Sequence, residues 1–181
     1  MDTTWVALLR GINVGGRKPV PMSELRALFE RLGHRQVSTY VQSGNVVFRS
    51  DAEESALVAG IESALRETFG FDVAVVLRNR DELARVAQAH PFAGNEPEAA
   101  KLHVFFLGDP PSAEAVVGFE TERFAPDTLV VVGREVYVHY PNGRGRSKLT
   151  IDQVERALGT VATGRNWRTV GKLVELAAQS G

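Results

Sequence analysis

The stretch 75-VVLRNRDELARVA-87 passes from a run typical of a strand to the spacing typical of a helix. Residues 72–77 are mostly β-branched or apolar, and Asn79, which follows them, is a preferred N-cap residue. Apolar residues then recur every three or four positions to about residue 90. The same dipeptide, Arg-Asn, recurs at 165–166, again between a predicted strand and a predicted helix. This repeat predicts that the chain is internally duplicated.

Both halves show one order of predicted elements: strand, helix, strand, strand, helix, strand, helix. This order predicts an α+β fold of two tandem ferredoxin-like subdomains, each βαββαβ plus one helix, related by internal duplication. Glycine, proline and small or acidic residues at 91–101 predict a linker between subdomains at 1–90 and 102–181. The predicted strands are 5–10, 36–42, 45–49, 72–77, 102–107, 128–132, 135–140 and 160–163.

Helix ends are predicted from capping residues. Ser50 with Glu53, and Thr150 with Gln153, have the spacing of capping boxes. Asp109-Pro110 predicts the start of a short helix that ends near residue 117. The other predicted helices are 21–32, a helix that ends at Gly70, a helix from Asn79 to about His90, a helix that ends at Gly159, and one that begins after Asn166.

Composition excludes several classes of protein. With 44% hydrophobic and 24% charged residues, the 181 residues have the composition of a soluble globular protein. The chain has no cysteine, which excludes disulfides, thiolate nucleophiles and Cys-ligated zinc. No run approaches the roughly 18 apolar residues of a membrane span. We therefore expect no signal peptide, no membrane partner and a cytoplasmic location.

Charge is uneven along the chain, although the net charge is only −1. That net charge excludes a globally basic nucleic-acid binder. Residues 142–172 carry seven basic and two acidic side chains, a local balance of +5, whereas residues 93–128 carry seven acidic and two basic ones. The sequence therefore predicts one basic and one acidic face.

The loop 11-GINVGGRKPVP-21 follows a predicted strand and precedes a predicted helix. Its first and last glycines have the spacing of a phosphate-binding P-loop, but Arg17 takes the place of the P-loop lysine. Pro19 and Pro21 also remove backbone donors from the start of the helix. The P-loop interpretation fails, which leaves a plain connection or a different ligand loop. The candidate ligand residues here are Arg10, Asn13, Gly15, Gly16 and Lys18.

Three further segments contain candidate ligand residues. The stretch 40-YVQSGNVVF-48 places Gln42, Ser43 and Asn45 at a predicted hairpin tip, where turn preference alone accounts for Ser43. The stretch 141-PNGRGRSKLT-150 is a flexible basic turn before a helix N-terminus, and 163-TGRNWRTV-170 is a second basic helix start. Arginine suits bidentate binding of phosphate or carboxylate. The candidates in the two basic segments are Arg144, Arg146, Ser147, Lys148, Arg165, Asn166 and Arg168.

The sequence contains no motif for metal binding or for the common kinds of catalysis. The four histidines have no metal-ligand spacing, and no nucleophile elbow is present. Carboxylates are absent from the candidate loops, which argues against acid–base or Mg²⁺ catalysis. No metal and no cofactor are predicted.

Three blocks, ALLRGINVGG (7–16), TYVQSGNVVF (39–48) and TGRNWRTVGKLVEL (163–176), resemble a bacterial family defined only as a domain of unknown function. The resemblance extends over the whole chain and includes VPMSEL (20–25), HVFFL (103–107) and GRSKL (145–149). It implies an α+β protein of two related subdomains, soluble and cytosolic, and it implies no activity. Members of the family often carry asparagine before the Pro-Phe of the central linker, where this chain has His90.

The leading functional hypothesis is a binding protein that holds an anionic, phosphate-bearing ligand in a basic groove between the subdomains. One alternative is an enzyme acting on a nucleotide or a nucleic-acid end, with the same residues as transition-state clamps. Another is weak single-stranded nucleic-acid binding by charge and by stacking on Trp167 or Tyr137. An interaction module without a small ligand is also open. Whether the protein is an enzyme, its ligand and its oligomeric state are left open by the sequence.

Overall fold

The computed structural model describes all 181 residues, and their packing divides them into two compact units. The first unit comprises Met1–Ala84 together with Lys172–Gly181, and the second comprises Arg85–Gly171. The division falls within two helices, so the first unit is discontinuous in sequence. The predicted boundaries at residues 90 and 102 rest on the repeated element order, and they remain a prediction. None of the helices is long and apolar enough to cross a membrane.

The first unit contains a four-stranded antiparallel sheet. Its elements are β1 Thr3–Leu9, α1 Met22–Arg31, β2 Arg35–Tyr40, β3 Asn45–Ser50, α2 Glu54–Phe69 and β4 Val75–Asn79, followed by α3 Arg80–Ala89. The strand order is β2-β3-β1-β4, so β1 has a strand on each side and is buried from Thr4 to Leu9. Apolar side chains of α1 and α2, such as Phe29 and Ile61, form the core with alternate residues of β1.

The second unit has the same arrangement. Its elements are β5 Leu102–Leu107, α4 Ala113–Gly118, β6 Thr128–Val132, β7 Glu135–His139, α5 Ile151–Leu158, β8 Ala162–Asn166 and α6 Trp167–Gln179. The strands are ordered β6-β7-β5-β8, and all neighbours are antiparallel. Phe105 and Leu107 of β5 pack in one core with Val154 and Leu158 of α5. The chain is therefore a mixed α+β protein with two similar four-stranded sheets.

The predicted caps at the two Arg-Asn junctions are confirmed. Asn79 Oδ1 accepts the Glu82 N–H at 2.9 Å, and Glu82 Oε2 accepts the Asn79 N–H at 2.9 Å. Asn166 Oδ1 accepts the Thr169 N–H at 2.8 Å. The capping box at Thr150 is also formed. These short-range patterns fix where α3, α5 and α6 begin.

Other predicted boundaries were wrong. Ser50 ends β3 and pairs with Thr3, so it cannot cap α2, which begins at Glu54 without a side-chain cap. The short helix α4 begins at Ala113, not at Asp109-Pro110, because Ser112 Oγ accepts the Ala115 N–H at 3.1 Å. Strands β4 and β8 begin two or three residues later than predicted, since their extent depends on pairing with β1 and β5.

Candidate functional site

The loop between β1 and α1 is closed by its own backbone. The Asn13 N–H donates to Lys18 O at 3.1 Å, which folds the loop back on itself. Gly15 and Gly16 at its tip have φ of 58° and 72°, a region that glycine enters without strain. These two glycines turn the chain, and the Arg17 N–H donates to Val14 O at 3.0 Å across the turn.

Asn13 braces this loop against the turn between β2 and β3. Its Oδ1 accepts the Val20 N–H at 2.8 Å, and its Nδ2 donates to Val20 O at 2.9 Å and to Gln42 O at 2.8 Å. Asparagine also tolerates the positive φ of 54° at this position. The side chain that the sequence indicated as a ligand is thus occupied by the protein's own backbone.

We expect Asn13→Ala to lower the free energy of unfolding by about 2 kcal/mol, because three hydrogen bonds are lost at once. Urea denaturation monitored by circular dichroism measures this change. Gln42→Ala is the matched control, since Gln42 takes part through its carbonyl and its side chain is exposed. A loss for Gln42→Ala as large as that for Asn13→Ala would contradict the bracing role.

Other candidate ligand residues of the first unit lie near the hydrogen bonds of Asn13. Lys18 Nζ donates to Asp72 O at 2.6 Å. The buried Asn45 donates through Nδ2 to Tyr40 O and to Ser43 Oγ, both at 2.9 Å. The structure therefore brings Asn13, Lys18, Gln42, Ser43 and Asn45 together, largely through bonds within the protein. Of the remaining candidates, Arg10 is half-buried and Gly15 and Gly16 are exposed.

The basic turn of the second unit, residues 143–150, is exposed. Arg144 to Arg146 form a single 3-10 turn after Gly143, whose φ is 81°. Ser147 Oγ accepts the Leu149 N–H at 3.0 Å, so this hydroxyl shapes the turn. Arg144, Arg146, Lys148 and Arg168 have exposed side chains, whereas Asn166 is used as the cap of α6.

Arg165 is buried, unlike the other candidate cations. Its guanidinium donates to Thr163 Oγ1 at 2.7 Å and to Gly164 O at 2.9 Å. Burial, together with the nearby charge of Arg144, lowers its pKa to about 10. Arg78 holds the equivalent place in the first unit: it is buried and donates to Leu77 O at 2.7 Å. Arg78 was not among the predicted ligand residues, although it begins the first of the two Arg-Asn dipeptides.

Two buried polar residues near Arg144 were not predicted. His103 of β5 is 7% exposed and Tyr140, just after β7, is fully buried. Their rings meet edge to face with centroids 5.1 Å apart. His103 Nδ1 and Tyr140 Oη have no hydrogen-bond partner. The only sequence signal was a histidine inside the otherwise apolar strand 102-LHVFFL-107.

The protonation of both groups reflects burial first and Arg144 second. Burial, the Arg144 charge and His90 together lower the pKa of His103 to about 4. Burial raises the pKa of Tyr140 to about 12, the Arg144 guanidinium opposes that rise, and the Asp127 carboxylate adds to it. The guanidinium lies close enough to polarise the phenol, but their contact does not meet hydrogen-bond geometry. Both side chains are therefore neutral at pH 7.

The linker that leads into β5 is held in place by two histidines. His90 Nε2 contacts His103 O at 3.2 Å and its Nδ1 accepts the Phe92 N–H at 3.3 Å, so the proton is assigned to Nε2. His139 Nε2 lies 2.8 Å from Glu96 Oε2. The Glu98 N–H, more than His139, holds the pKa of Glu96 below its usual value. His90 thus has a structural role at the linker.

The second unit therefore combines two buried, neutral polar side chains with a cation whose side chain is exposed. Arg144 makes no ion pair with a carboxylate, and its charge acts on His103, Tyr140 and Arg165. Such a cluster suits an acceptor-rich anion, because guanidinium and hydroxyl groups donate to it together. Whether the polar loops of the two units converge stays a prediction.

The fold and this cluster define a two-unit α+β protein with a cationic candidate site in its second unit. The chain belongs to the family described as "Protein of unknown function (DUF1697)", whose model matches residues 2–137. It is similar to the solved structure of the conserved bacterial protein SP0830 from Streptococcus pneumoniae. That likeness has a TM-score of 0.73 at 21% identity, covers 98% of this chain and 99% of that chain, and shows the fold alone. No curated protein matches the chain.

Proposed function

We propose that the second unit binds a small phosphate-bearing anion beside Arg144, Tyr140 and His103. The observation that carries the proposal is the pair of buried polar atoms, Tyr140 Oη and His103 Nδ1, left without a hydrogen-bond partner near an exposed guanidinium. A buried polar group without a partner costs roughly 1–3 kcal/mol. An anion that accepts their hydrogen bonds would recover that free energy on binding.

Phosphate fits this cluster better than a smaller anion does. The fork of Arg144 can take two oxygens, which leaves further phosphate oxygens for the Tyr140 hydroxyl and for a protonated Nδ1 of neutral His103. The buried charge of Arg165 adds a favourable potential, as do Arg146 and Lys148 in the exposed turn. Asp127 opposes it, because its carboxylate lies near enough to raise the pKa of Tyr140.

We expect Arg144→Ala to weaken phosphate binding by at least about tenfold, since a hydrogen bond to a charged group is lost. Isothermal titration with inorganic phosphate, pyrophosphate and adenosine monophosphate measures the change and compares ligand sizes. Arg146→Ala is the matched control, because Arg146 is an exposed arginine of the same turn. Equal losses for the two variants would mean diffuse attraction instead of a site, and the absence of any binding by the unaltered protein would refute the proposal.

Two conservative substitutions separate binding from structure. Tyr140→Phe removes only the unpartnered hydroxyl, so it should weaken binding while leaving stability unchanged or higher. Asp127→Asn removes the opposing charge and should tighten binding. If the Tyr140 hydroxyl had only a structural role, Tyr140→Phe would lower the free energy of unfolding and leave the affinity for phosphate unchanged.

The alternative functions remain predictions. The enzyme hypothesis needs a hydroxyl or carboxylate among the arginines, and Ser147 Oγ is held by the Leu149 N–H. Weak single-stranded nucleic-acid binding predicts a steep loss of affinity with salt, which fluorescence anisotropy with a short oligonucleotide measures. A flat salt response would exclude it.

We also propose that each half is a ferredoxin-like unit derived by duplication, as 1–90 and 102–181 with the linker 91–101. Read in the opposite direction, the strand orders are β4-β1-β3-β2 and β8-β5-β7-β6. In each unit this is the order fourth, first, third, second strand, which is the order of a βαββαβ ferredoxin-like sheet. The two Arg-Asn junctions also share a register, with Asn79 opposite Trp5 and Asn166 opposite His103. The cytoplasmic location stays a prediction.

A further inference from the structure

Strand β6 forms one edge of the second sheet and lacks the charges, prolines and bulges that often protect such an edge. Its sequence, Thr128–Val132, is TLVVV, without charge or proline, and its pairing with β7 is free of bulges. Val132 is 51% exposed. Natural sheets normally shield edge strands with charges, prolines or bulges because unpaired backbone groups attract other strands.

The equivalent edge in the first unit is protected. Strand β2 has a register shift between Arg35 and Ser38, and Gln36 within it has a φ of 49°. Arg35 places a charge on that edge, where it pairs with Asp2 at 2.6 Å. A bulge and a charge both oppose addition of another strand. The shared fold therefore does not require a bulge or a charge at this edge, since β2 has both and β6 has neither.

The hairpin geometry fixes which backbone groups of β6 point outward. A two-residue turn, Gly133-Arg134, joins β6 to β7, so the flanking pair Val132 and Glu135 is hydrogen-bonded. Alternation along the strand then directs the N–H and C=O groups of Leu129 and Val131 away from β7. No backbone group of the chain pairs with them.

We propose that β6 pairs with β6 of a second copy of this chain, antiparallel, about a two-fold axis at Val130. Leu129 of each copy then lies opposite Val131 of the other, and these are hydrogen-bonded pairs, so every outward group of both strands is satisfied. Val130 meets its own counterpart, and the exposed Val132 is covered by Thr128 of the second copy. The strand carries no charge, so no like charges face each other.

The contact is small, so the dimer should depend on concentration. Sedimentation velocity from micromolar to near-millimolar protein should show a reversible monomer–dimer equilibrium. Val130→Lys alone and Val130→Glu alone should each be monomeric, since like charges would lie directly opposite each other across the axis. An equimolar mixture of these two variants should dimerise again. Val130→Thr, which keeps a β-branched neutral side chain, is the control and should remain dimeric.

Circular dichroism establishes that each variant is folded. If a charge at Val130 prevents folding, Val131→Pro gives a second test, because it removes an outward N–H and no bond to β7. A protein that is monomeric throughout, or a dimer that persists in folded Val130→Lys or Val131→Pro, would overturn the proposal. If folded Val130→Lys and Val130→Glu are each monomeric and also fail to dimerise when mixed, the predicted register is overturned.

Discussion

Gly44→Ala is expected to lower the free energy of unfolding by about 3 kcal/mol, the combined effect of backbone strain and overpacking. Gly44 lies in the turn between β2 and β3 with a φ of 82°. A Cβ added there would lie 2.7 Å from Ile12 Cδ1 and 2.8 Å from Leu9 Cβ. The Leu9 contact cannot be relieved by a rotamer change, because a Cβ atom is fixed by its own backbone. Urea denaturation measures the loss, and the dependence of the unfolding free energy on urea concentration should be unchanged.

Gly16→Ala is the matched control for this prediction. Gly16 also has a positive φ, 72°, but a Cβ there meets nothing within 4 Å. The expected loss is therefore about 1 kcal/mol, from the backbone conformation alone. Similar losses for the two variants would show that the close approach of the turn to β1 does not contribute.

The second large effect is a loss of stability in acid caused by His103. Burial, Arg144 and His90 lower its pKa from 6.5 to about 4 in the folded protein, whereas the unfolded chain titrates near the ordinary value. Between those pH values the unfolded state binds more protons, so the stabilisation is complete above pH 6.5 and is lost as pH falls towards 4. A shift of this size corresponds to about 3 kcal/mol.

Comparison with His103→Gln isolates this contribution, because burial also lowers the pKa of His90 and of His34 in the same direction. Chemical denaturation at closely spaced pH values should show that the free energy of unfolding falls more steeply with decreasing pH in the unaltered protein than in the variant. Parallel curves would contradict the prediction. Saturating phosphate should flatten the slope of the unaltered protein, since a bound anion offsets the charge of Arg144.

Much of the fold could be predicted from local patterns. The apolar run of β5 was predicted at 102–107, as found, because a strand buried on both faces is recognisable from composition. The asparagine caps were found because a cap acts over three residues. The Ser50 cap failed because Ser50 is fixed by pairing with Thr3, which is remote in sequence.

The candidate site was harder to predict, for the same reason. The polar loops were predicted to hold ligand residues, yet Asn13 and Asn45 bond to the chain itself, and no local pattern distinguishes a structural hydrogen bond from a ligand contact. His103 and Tyr140 become notable only when burial leaves one atom of each without a partner. The residues around them in the sequence are typical of strands, so the only sequence signal was a histidine within an otherwise apolar strand.

The discontinuity of the first unit has a consequence for synthesis. Lys172–Gly181 belong with Met1–Ala84, and Thr4 Oγ1 donates to Ser180 O at 3.3 Å. The ribosome therefore supplies the last part of the first unit only after all of the second unit has been made. The first unit is therefore completed only after the second unit has been synthesised, whereas an independent N-terminal domain would be complete first.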